Sequence, residues 1–272
     1  MCGICGEIRF DNVEVNRQTA KKMIDAAKDC GADAVKFQSI RAEKLVSPRT
    51  FSNPIDGFGM KSVKTVGDFW KKVSIGKNFH ISISNYCAEI GIEFMSTPFD
   101  FESVDVLNEL DVKRFKIASG DITHSPLLEY VASKGKPIIL STAMSNLNEV
   151  SESFEIIKKY SKKPVVLMQC TGNYPAPRHD SNLRVINGYK KKFKSLVGYS
   201  DHVLGNDAAL AAISIGASVY EKHITIDKKL PGPDHRTSMN KNEFKILVNK
   251  IRDLEKILGK EKKQVMDSEL EN

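Results

Sequence analysis

The chain alternates between short apolar runs of strand length and longer stretches whose apolar positions recur at helical spacing. Eight runs read as strands: Ile4–Phe10, Ala34–Ser39, Ile92–Thr97, Arg114–Ser119, Pro137–Thr142, Pro164–Thr171, Ser195–Asp201 and Ser218–Thr225. Helical periodicity covers Arg17–Cys30, a broken pair within Val66–Glu89, Phe101–Leu110, Pro126–Ser133, Leu147–Tyr160, Asn182–Lys192, Asn206–Ile215 and Lys241–Leu258. Many of the helix-to-strand steps carry glycine where a helix should stop, at Gly31, Gly91, Gly135 and Gly216. Strands this apolar need cover on both faces, so eight strand–helix repeats predict an α/β fold closed into a (β/α)8 TIM barrel. The competing architecture is an open doubly wound sheet. It rarely needs eight evenly spaced units, and its Gly-rich dinucleotide fingerprint is absent. One barrel is expected over residues 1–260, followed by a charged tail or linker over 261–272. Arg41–Thr65, with Pro48, Pro54, Gly57 and Gly59, reads as a loop at the barrel mouth.

The stretch from Val197 to His235 carries the strongest hint of chemistry. Two apolar runs, Ser195–Tyr199 and Ser218–Ile224, each lead to a histidine, His202 and His223. Residues two apart on a strand share a face, which groups Ser200 with His202 and Glu221 with His223. A helix over Asn206–Gly216 makes the two strands parallel neighbours, and that geometry can hold a metal. The plainer alternative is a pair of hydrogen-bonded rim histidines.

In a barrel the site lies at the C-terminal strand ends. Gathered there are Glu7, Lys36, Gln38, Thr97, Lys116, Ser119, Ser141, Thr171, Ser200, His202, Glu221 and His223. A lysine pointing into the interior is costly unless it meets an opposing charge, and two of them suggest an anion between them. One ion pair at ~4 Å gains about 4 kcal/mol at an effective dielectric of about 20, so two lysines facing a phosphate offset much of their desolvation. The alternative pairs Lys36 and Lys116 with Glu7 and Glu221 in a structural network. The hydroxyls of Thr97, Ser119, Ser141 and Ser200 tilt the choice toward phosphate, since a salt-bridge network has no need of them.

Composition narrows the partners. Of 272 residues 41% are apolar, and no apolar run approaches the ~20 needed to cross a bilayer. The N-terminus MCGICGEIRF lacks a secretion signal, so a cytoplasmic protein with no membrane partner is expected. Five cysteines, Cys2, Cys5, Cys30, Cys87 and Cys170, fit free thiols; the Cys2–Cys5 CxxC has no second pair to make a metal site. Net charge is +7, but without a basic stripe interleaved with aromatics no nucleic-acid partner is expected. The surplus suits a small anionic substrate.

The segments ADAVKFQ, IEFMSTPFD, FKIASGD, IILSTAM, QCTGNYP, GYSDHVLG and EKHITID followed by GPDH resemble the N-acetylneuraminate (sialic acid) synthase family, in the same order, over residues 1–260. The resemblance implies a barrel enzyme that condenses phosphoenolpyruvate with the open-chain aldehyde of an N-acetylated amino sugar, releasing phosphate. It implies that Lys36, Thr97, Lys116, Ser119, Ser141 and Ser200 hold phosphoenolpyruvate, with Gln38 beside them. His202 and His223 would bind a divalent metal, usually manganese, with magnesium or cobalt as substitutes. Tyr174, Asp201 and Asp234 would contact the sugar or metal waters, and Glu7, Asp121 and Glu221 are the candidate acid–base groups. In that chemistry the metal polarises the aldehyde, the enol carbon attacks it, and water adds where phosphate then leaves.

The sequence also departs from the family pattern. EIRFDNVEVNRQ replaces an Asn-His-containing first loop, Gly172 stands where many relatives carry Asn or Ser, and Asp121 stands where Glu is frequent. Relatives commonly continue into a small antifreeze-protein-like domain that supplies an Arg to the partner subunit's sugar site. Without it, the expectation is a barrel that binds phosphoenolpyruvate and metal with an altered hold on the sugar, and a homodimer is the assembly the resemblance admits. Two other functions remain open: a metal-dependent barrel aldolase or isomerase that does not consume phosphoenolpyruvate, and a non-catalytic barrel that binds a sugar or partner protein.

Overall fold

The computed structural model describes residues 3–7, 16–57 and 59–270, without the side chains of Cys5 and Glu7. Cys2, the thiol of Cys5 and the first loop at residues 8–15 therefore lie outside the described residues. In chain order the elements are β1 (Gly3–Glu7), α1 (Arg17–Asp29), β2 (Ala34–Ser39), α2 (Ala42–Leu45), α3 (Pro48–Phe51), α4 (Val66–Val73), α5 (Lys77–Ile90), β3 (Glu93–Pro98), α6 (Phe101–Glu109) and β4 (Phe115–Ile117). They continue with α7 (Ser125–Ser133), β5 (Ile138–Ser141), α8 (Leu147–Tyr160), β6 (Val165–Cys170), α9 (Val185–Phe193), β7 (Leu196–Asp201), α10 (Asp207–Ser214), β8 (Val219–His223) and α11 (Lys241–Leu258). All ladders are parallel, in the order β3-β2-β1-β8-β7-β6-β5-β4. The two ends of that order, β3 and β4, lie against each other, with no ladder between them among the described residues.

Strand parity divides the core in two. Outward residues such as Phe37, Phe94, Phe115, Leu140, Leu167, Tyr199 and Tyr220 pack under helix residues including Ile24, Ile83, Leu107, Leu128, Phe154 and Phe244. Inward, Ala34, Met95, Ile139, Val166 and Met168 form a small apolar plug with Val219 against it. Two residues further along the same strands stand Lys36, Thr97, Ser141 and Glu221. A polar layer thus sits directly above the plug, because side chains of one face recur every second residue.

Local signals set the helix limits. Capping boxes start α4 (Thr65 with Asp68), α8 (Asn146 with Glu149) and α11 (Asn240 with Glu243). Gly91 ends α5 in the left-handed region at φ 71° and ψ 42°, and the other three glycines read as stops, Gly31, Gly135 and Gly216, also take positive φ.

Two expectations need correction. The helix read as Asn182–Lys192 begins at Val185, since Asn182 is left-handed (φ 41°) after a 3₁₀ turn over Arg178–Ser181. The segment read as a loop over Arg41–Thr65 is instead built from α2, α3 and a Pro54–Thr65 bridge. Its Met60 and Val63 join Ile40 after β2 and Phe69 and Val73 of α4 in a separate cluster, against which Trp70 and Phe99 pack. Residues 259–270 are exposed throughout. No helix among the described residues is long and apolar enough to cross a membrane.

Gly198 and Gly188 give a paired test of the packing. A Cβ at Gly198 would fall 2.6 Å from the Val219 carbonyl oxygen and 3.2 Å from Met168 Cγ, whereas one at Gly188, inside α9, meets nothing within 4 Å. Urea unfolding should show Gly198→Ala destabilising by about 1–3 kcal/mol. Gly188→Ala should stabilise by about 0.5–1 kcal/mol.

Candidate active site

Above the apolar plug is an open cavity of about 370 Å³. Its floor is ionic. Lys36 and Lys116 are 2% and 3% exposed and each lies 3.5 Å from Glu221, one ammonium per carboxylate oxygen, with Glu221 itself 4% exposed. Ser200 Oγ donates to Glu221 Oε1 at 2.8 Å, and Lys116 Nζ donates to Ser141 Oγ at 2.7 Å. Of the two arrangements left open by sequence, the ligand-free protein pairs both lysines with Glu221. The pairing puts two ammonium groups on the two oxygens of one carboxylate in a buried floor.

Gln38 and Thr97, in register on β2 and β3, also line the cavity. Thr97 Oγ1 is buried and has no hydrogen-bond partner among the described residues, which is costly unless a ligand supplies one. Ser119 lines it too, from a 3₁₀ turn over Ser119–Asp121 rather than from a strand end; its Oγ accepts from the Ala143 N–H at 2.9 Å.

The histidines stand together at one side. Their ring centroids are 5.4 Å apart and perpendicular, and Tyr174 packs on His202 at 3.9 Å and on His223 at 5.2 Å. His202 Nδ1 lies 2.5 Å from the Thr171 carbonyl oxygen, an acceptor to which this nitrogen donates, so the contact fixes the ring's orientation. Asp234 approaches His223 Nδ1 at 4.0 Å. Among the described residues no three His, Cys, Asp or Glu side chains close around one point. Two imidazoles with one carboxylate beside them are donors of the kind a divalent ion takes, and they are the described groups that would hold one here. The backbone of Glu7 is in register with both Lys36 and His223; its side chain lies outside the described residues.

Asp201 is a correction. It falls on the opposite face of β7 from Ser200 and His202, and its carboxylate is engaged there, accepting from the Tyr220 hydroxyl at 2.7 Å and the Val203 N–H at 2.8 Å beside Lys222 Nζ at 3.1 Å. Alternation along the strand puts it outside the cavity. Sequence reading also missed Trp70 and Phe99, which line the cavity from α4 and the residue after β3. The available signal was the rarity of Trp70, the single tryptophan of the chain.

These features define an α/β protein with a cationic, hydroxyl-lined cavity beside a histidine pair at the C-terminal ends of parallel strands. The signature of the NeuB family matches residues 23–263, and the chain belongs to that family. It is 43% identical to an N,N'-diacetyllegionaminic acid synthase of Legionella pneumophila subsp. pneumophila, over 93% of this chain and 72% of that protein. It is 35% identical to the N-acetylneuraminate-9-phosphate synthase of Homo sapiens, over 99% and 74% respectively. Among solved structures it is similar to an N-acetylneuraminic acid (sialic acid) synthetase from Leptospira borgpetersenii serovar Hardjo-bovis in complex with citrate. That match has a TM-score of 0.88 and 32% identity, covering 99% of this chain and 89% of that one.

Asp121 closes the same turn that presents Ser119. Burial pushes its carboxyl up from 3.8 to about 6, and Oδ2 has no hydrogen-bond partner among the described residues. Between those values the folded protein holds a proton that the unfolded chain has released. Stability from this group is thus present below pH 4 and falls as pH rises through 6. Asp121→Asn should remove that slope and leave the protein more stable at pH 7 by on the order of 2 kcal/mol, with little change at pH 4. Denaturant midpoints at the two pH values check it.

Proposed function

We propose that the protein condenses phosphoenolpyruvate with the open-chain aldehyde of an N-acetylated amino sugar, N-acetylmannosamine or a related hexosamine, to give a sialic-type nonulosonic acid and phosphate. The observation that carries this reading is the floor of the cavity, where two buried lysines share one carboxylate and an unsatisfied threonine hydroxyl lies beside them. We read the eight-stranded parallel sheet as a closed (β/α)8 barrel, which explains why eight strands converge on one floor.

In this reading Lys36 and Lys116 turn from Glu221 to the phosphate and carboxylate of phosphoenolpyruvate, and Ser119, Ser141, Ser200, Thr97 and Gln38 donate to their oxygens. The ligand is then held with its enol carbon toward the histidine pair. His202 and His223 would hold a divalent ion, manganese first with magnesium or cobalt as substitutes, which when bound polarises the aldehyde oxygen. Tyr174 and Asp234 flank that place and orient the sugar. The enol carbon forms a bond to the aldehyde carbon, and the aldehyde oxygen takes a proton. Asp121, whose carboxyl burial pushes up to about 6, is the acid proposed to supply it. Water then adds to the carbon bearing the phosphate, its proton passing to Glu221 or Glu7, and cleavage of the C–O bond releases phosphate.

Protein loaded with manganese should release phosphate in step with phosphoenolpyruvate consumption when given an N-acetylated hexosamine, and mass spectrometry should show a nine-carbon acid. Lys116→Met should lower kcat/KM for phosphoenolpyruvate by about a hundredfold, the loss of one charged contact made to the reacting anion. Folded, metal-loaded protein that releases no phosphate with any N-acetylated hexosamine would overturn the reading. Aldol product formed without phosphoenolpyruvate would replace it with another aldolase.

A further inference from the structure

The positive charge of the chain is gathered in one place. Residues 156–200 hold ten Lys or Arg and a single acid, Asp180, while the whole chain nets only +7, so the surplus lies in this stretch. Two lysine runs about thirty residues apart supply most of it, and the fold sets them side by side. Lys162 and Lys163 lead into β6 and Lys194 into β7, strands whose ladder pairs Val166 with Leu196 and whose starts are tied by Ser195 Oγ donating to the Val165 carbonyl. Phe193 packs on Phe154 at 5.0 Å, which holds the last turn of α9, with Lys191 and Lys192, against the helix that ends near Lys159. All six lysines are exposed.

Helix C-termini favour cations, which accounts for Lys159, Lys191 and Lys192. It does not account for Lys162, Lys163 and Lys194, which lie beyond the helices. Before other strands a cation meets an acid: Arg114 before β4 with Glu93 at 2.8 Å, and Lys136 before β5 with Asp111 at 2.5 Å. Before β6 and β7 the chain offers none, since no Asp or Glu occurs at 156–179 or 181–200. Tyr160 and Leu196, 43% and 54% exposed, stand among these lysines, with Lys159 Nζ 5.4 Å over the Tyr160 ring. The cavity opens at the other end of the same strands, six residues of β6 or about 20 Å away, where Cys170 and Ser200 line it.

We propose that this end of the protein docks on an anionic lipid bilayer, the lysines meeting headgroup phosphates and carboxylates while Tyr160 and Leu196 enter the interface. No helix among the described residues can cross a bilayer, so the contact is peripheral. The sequence read run by run shows no such surface, because the two runs meet only through the β6–β7 ladder. Long lysine stems carry their ammonium groups to the headgroups while the protein body stays outside the acyl region. A tyrosine suits the same layer, with an apolar ring and a polar tip. Nucleic acid favours a groove lined with stacking aromatic or arginine side chains, whereas these six cations are all lysines on an end face. The cavity then faces away from the bilayer, and the inference stands apart from the reaction proposed for it.

Sedimentation of the unaltered protein with vesicles tests it. At about 50 mM salt, phosphatidylcholine vesicles with about 30% phosphatidylserine should take up the protein at least about tenfold more strongly than phosphatidylcholine alone, and about 500 mM salt should abolish the difference. The triple variant Lys191→Glu, Lys192→Glu, Lys194→Glu should lose at least about tenfold in uptake. The same charge change at exposed Lys22, Lys61 and Lys64 should cost less than about threefold. Tyr160→Ser with Leu196→Ser leaves the charge unchanged and should weaken uptake by about threefold or more. Equal uptake by the two lipid compositions, or equal loss in the two triple variants, overturns the inference. Uptake unmoved by the Tyr160 and Leu196 changes overturns it as well, as does a single-stranded oligonucleotide that still binds at salt where vesicles do not. The lipid comparison uses the unaltered protein, so its result needs no variant to fold.

Discussion

Lys36, Glu221 and Lys116 are three ionisable groups buried in the middle of the sheet, and the rest of the structure is arranged so that they can be there. An isolated charge so far from water is prohibitively costly, while three that meet at 3.5 Å compensate one another. Meeting requires β2, β4 and β8 to reach the same height with the same parity. The plug of Ala34, Met95, Ile139, Val166 and Met168 beneath them fixes that height. Parity then decides what faces out: Val35 and Phe37 on β2, Phe115 and Ile117 on β4, Tyr220 on β8, all at or below 1% exposure under the helices.

A second buried ion pair lies on the outer face of the strands that carry the histidines. Asp201 and Lys222 are in register on β7 and β8, with Lys222 Nζ 3.1 Å from Asp201 Oδ2 and also donating to the Val203 carbonyl. Burial lowers the Lys222 pKa, and the neighbouring Asp201 carboxylate counters it. Each strand therefore shows one charged or hydrogen-bonding residue inward and its neighbour outward: Ser200 then Asp201, Glu221 then Lys222. The outer pair ties β7 to β8 at the level where the inner faces present Ser200 and Glu221, so the position of the histidine pair is braced from behind. A substitution at Asp201 would act on the cavity through this bracing, although the residue does not line it.

The elements most legible in the sequence are those whose cause is local. Apolar runs become strands because they are covered on both faces, and Gly91 ends a helix because only a residue tolerant of positive φ can continue the turn there. Parity applied to Lys36, Gln38, Ser200 and Glu221 places them on one face, as the cavity shows. Asp201, which the resemblance implies as a contact to the sugar or metal waters, is instead held on the outer face by that same parity. Phe99 follows β3 two residues after Thr97, so the same parity puts it on the cavity side. Trp70 is not legible in this way, because it reaches the cavity only where the excursion after β2 packs with α4 into its own cluster, and Gly67 permits that by leaving room for the Phe51 ring, whose Cδ1 would be 2.2 Å from any Cβ.

The floor also explains why a site with its charges already paired should still take an anion. At an effective dielectric of about 20, a pair at 3.5 Å is worth about 5 kcal/mol. A charge-assisted hydrogen bond is shorter, about 2.7–2.9 Å, and neither lysine makes one with Glu221. A ligand with two anionic groups can give each lysine an oxygen at full hydrogen-bonding distance and occupy the Thr97 hydroxyl as well. Glu221 would give up Ser200 and both lysines to the ligand and would stand beside the added negative charge, poised to take up a proton. The same network that makes the buried charges tolerable without a ligand holds each lysine 3.5 Å from Glu221, a separation that an anion reaching into the floor can improve on.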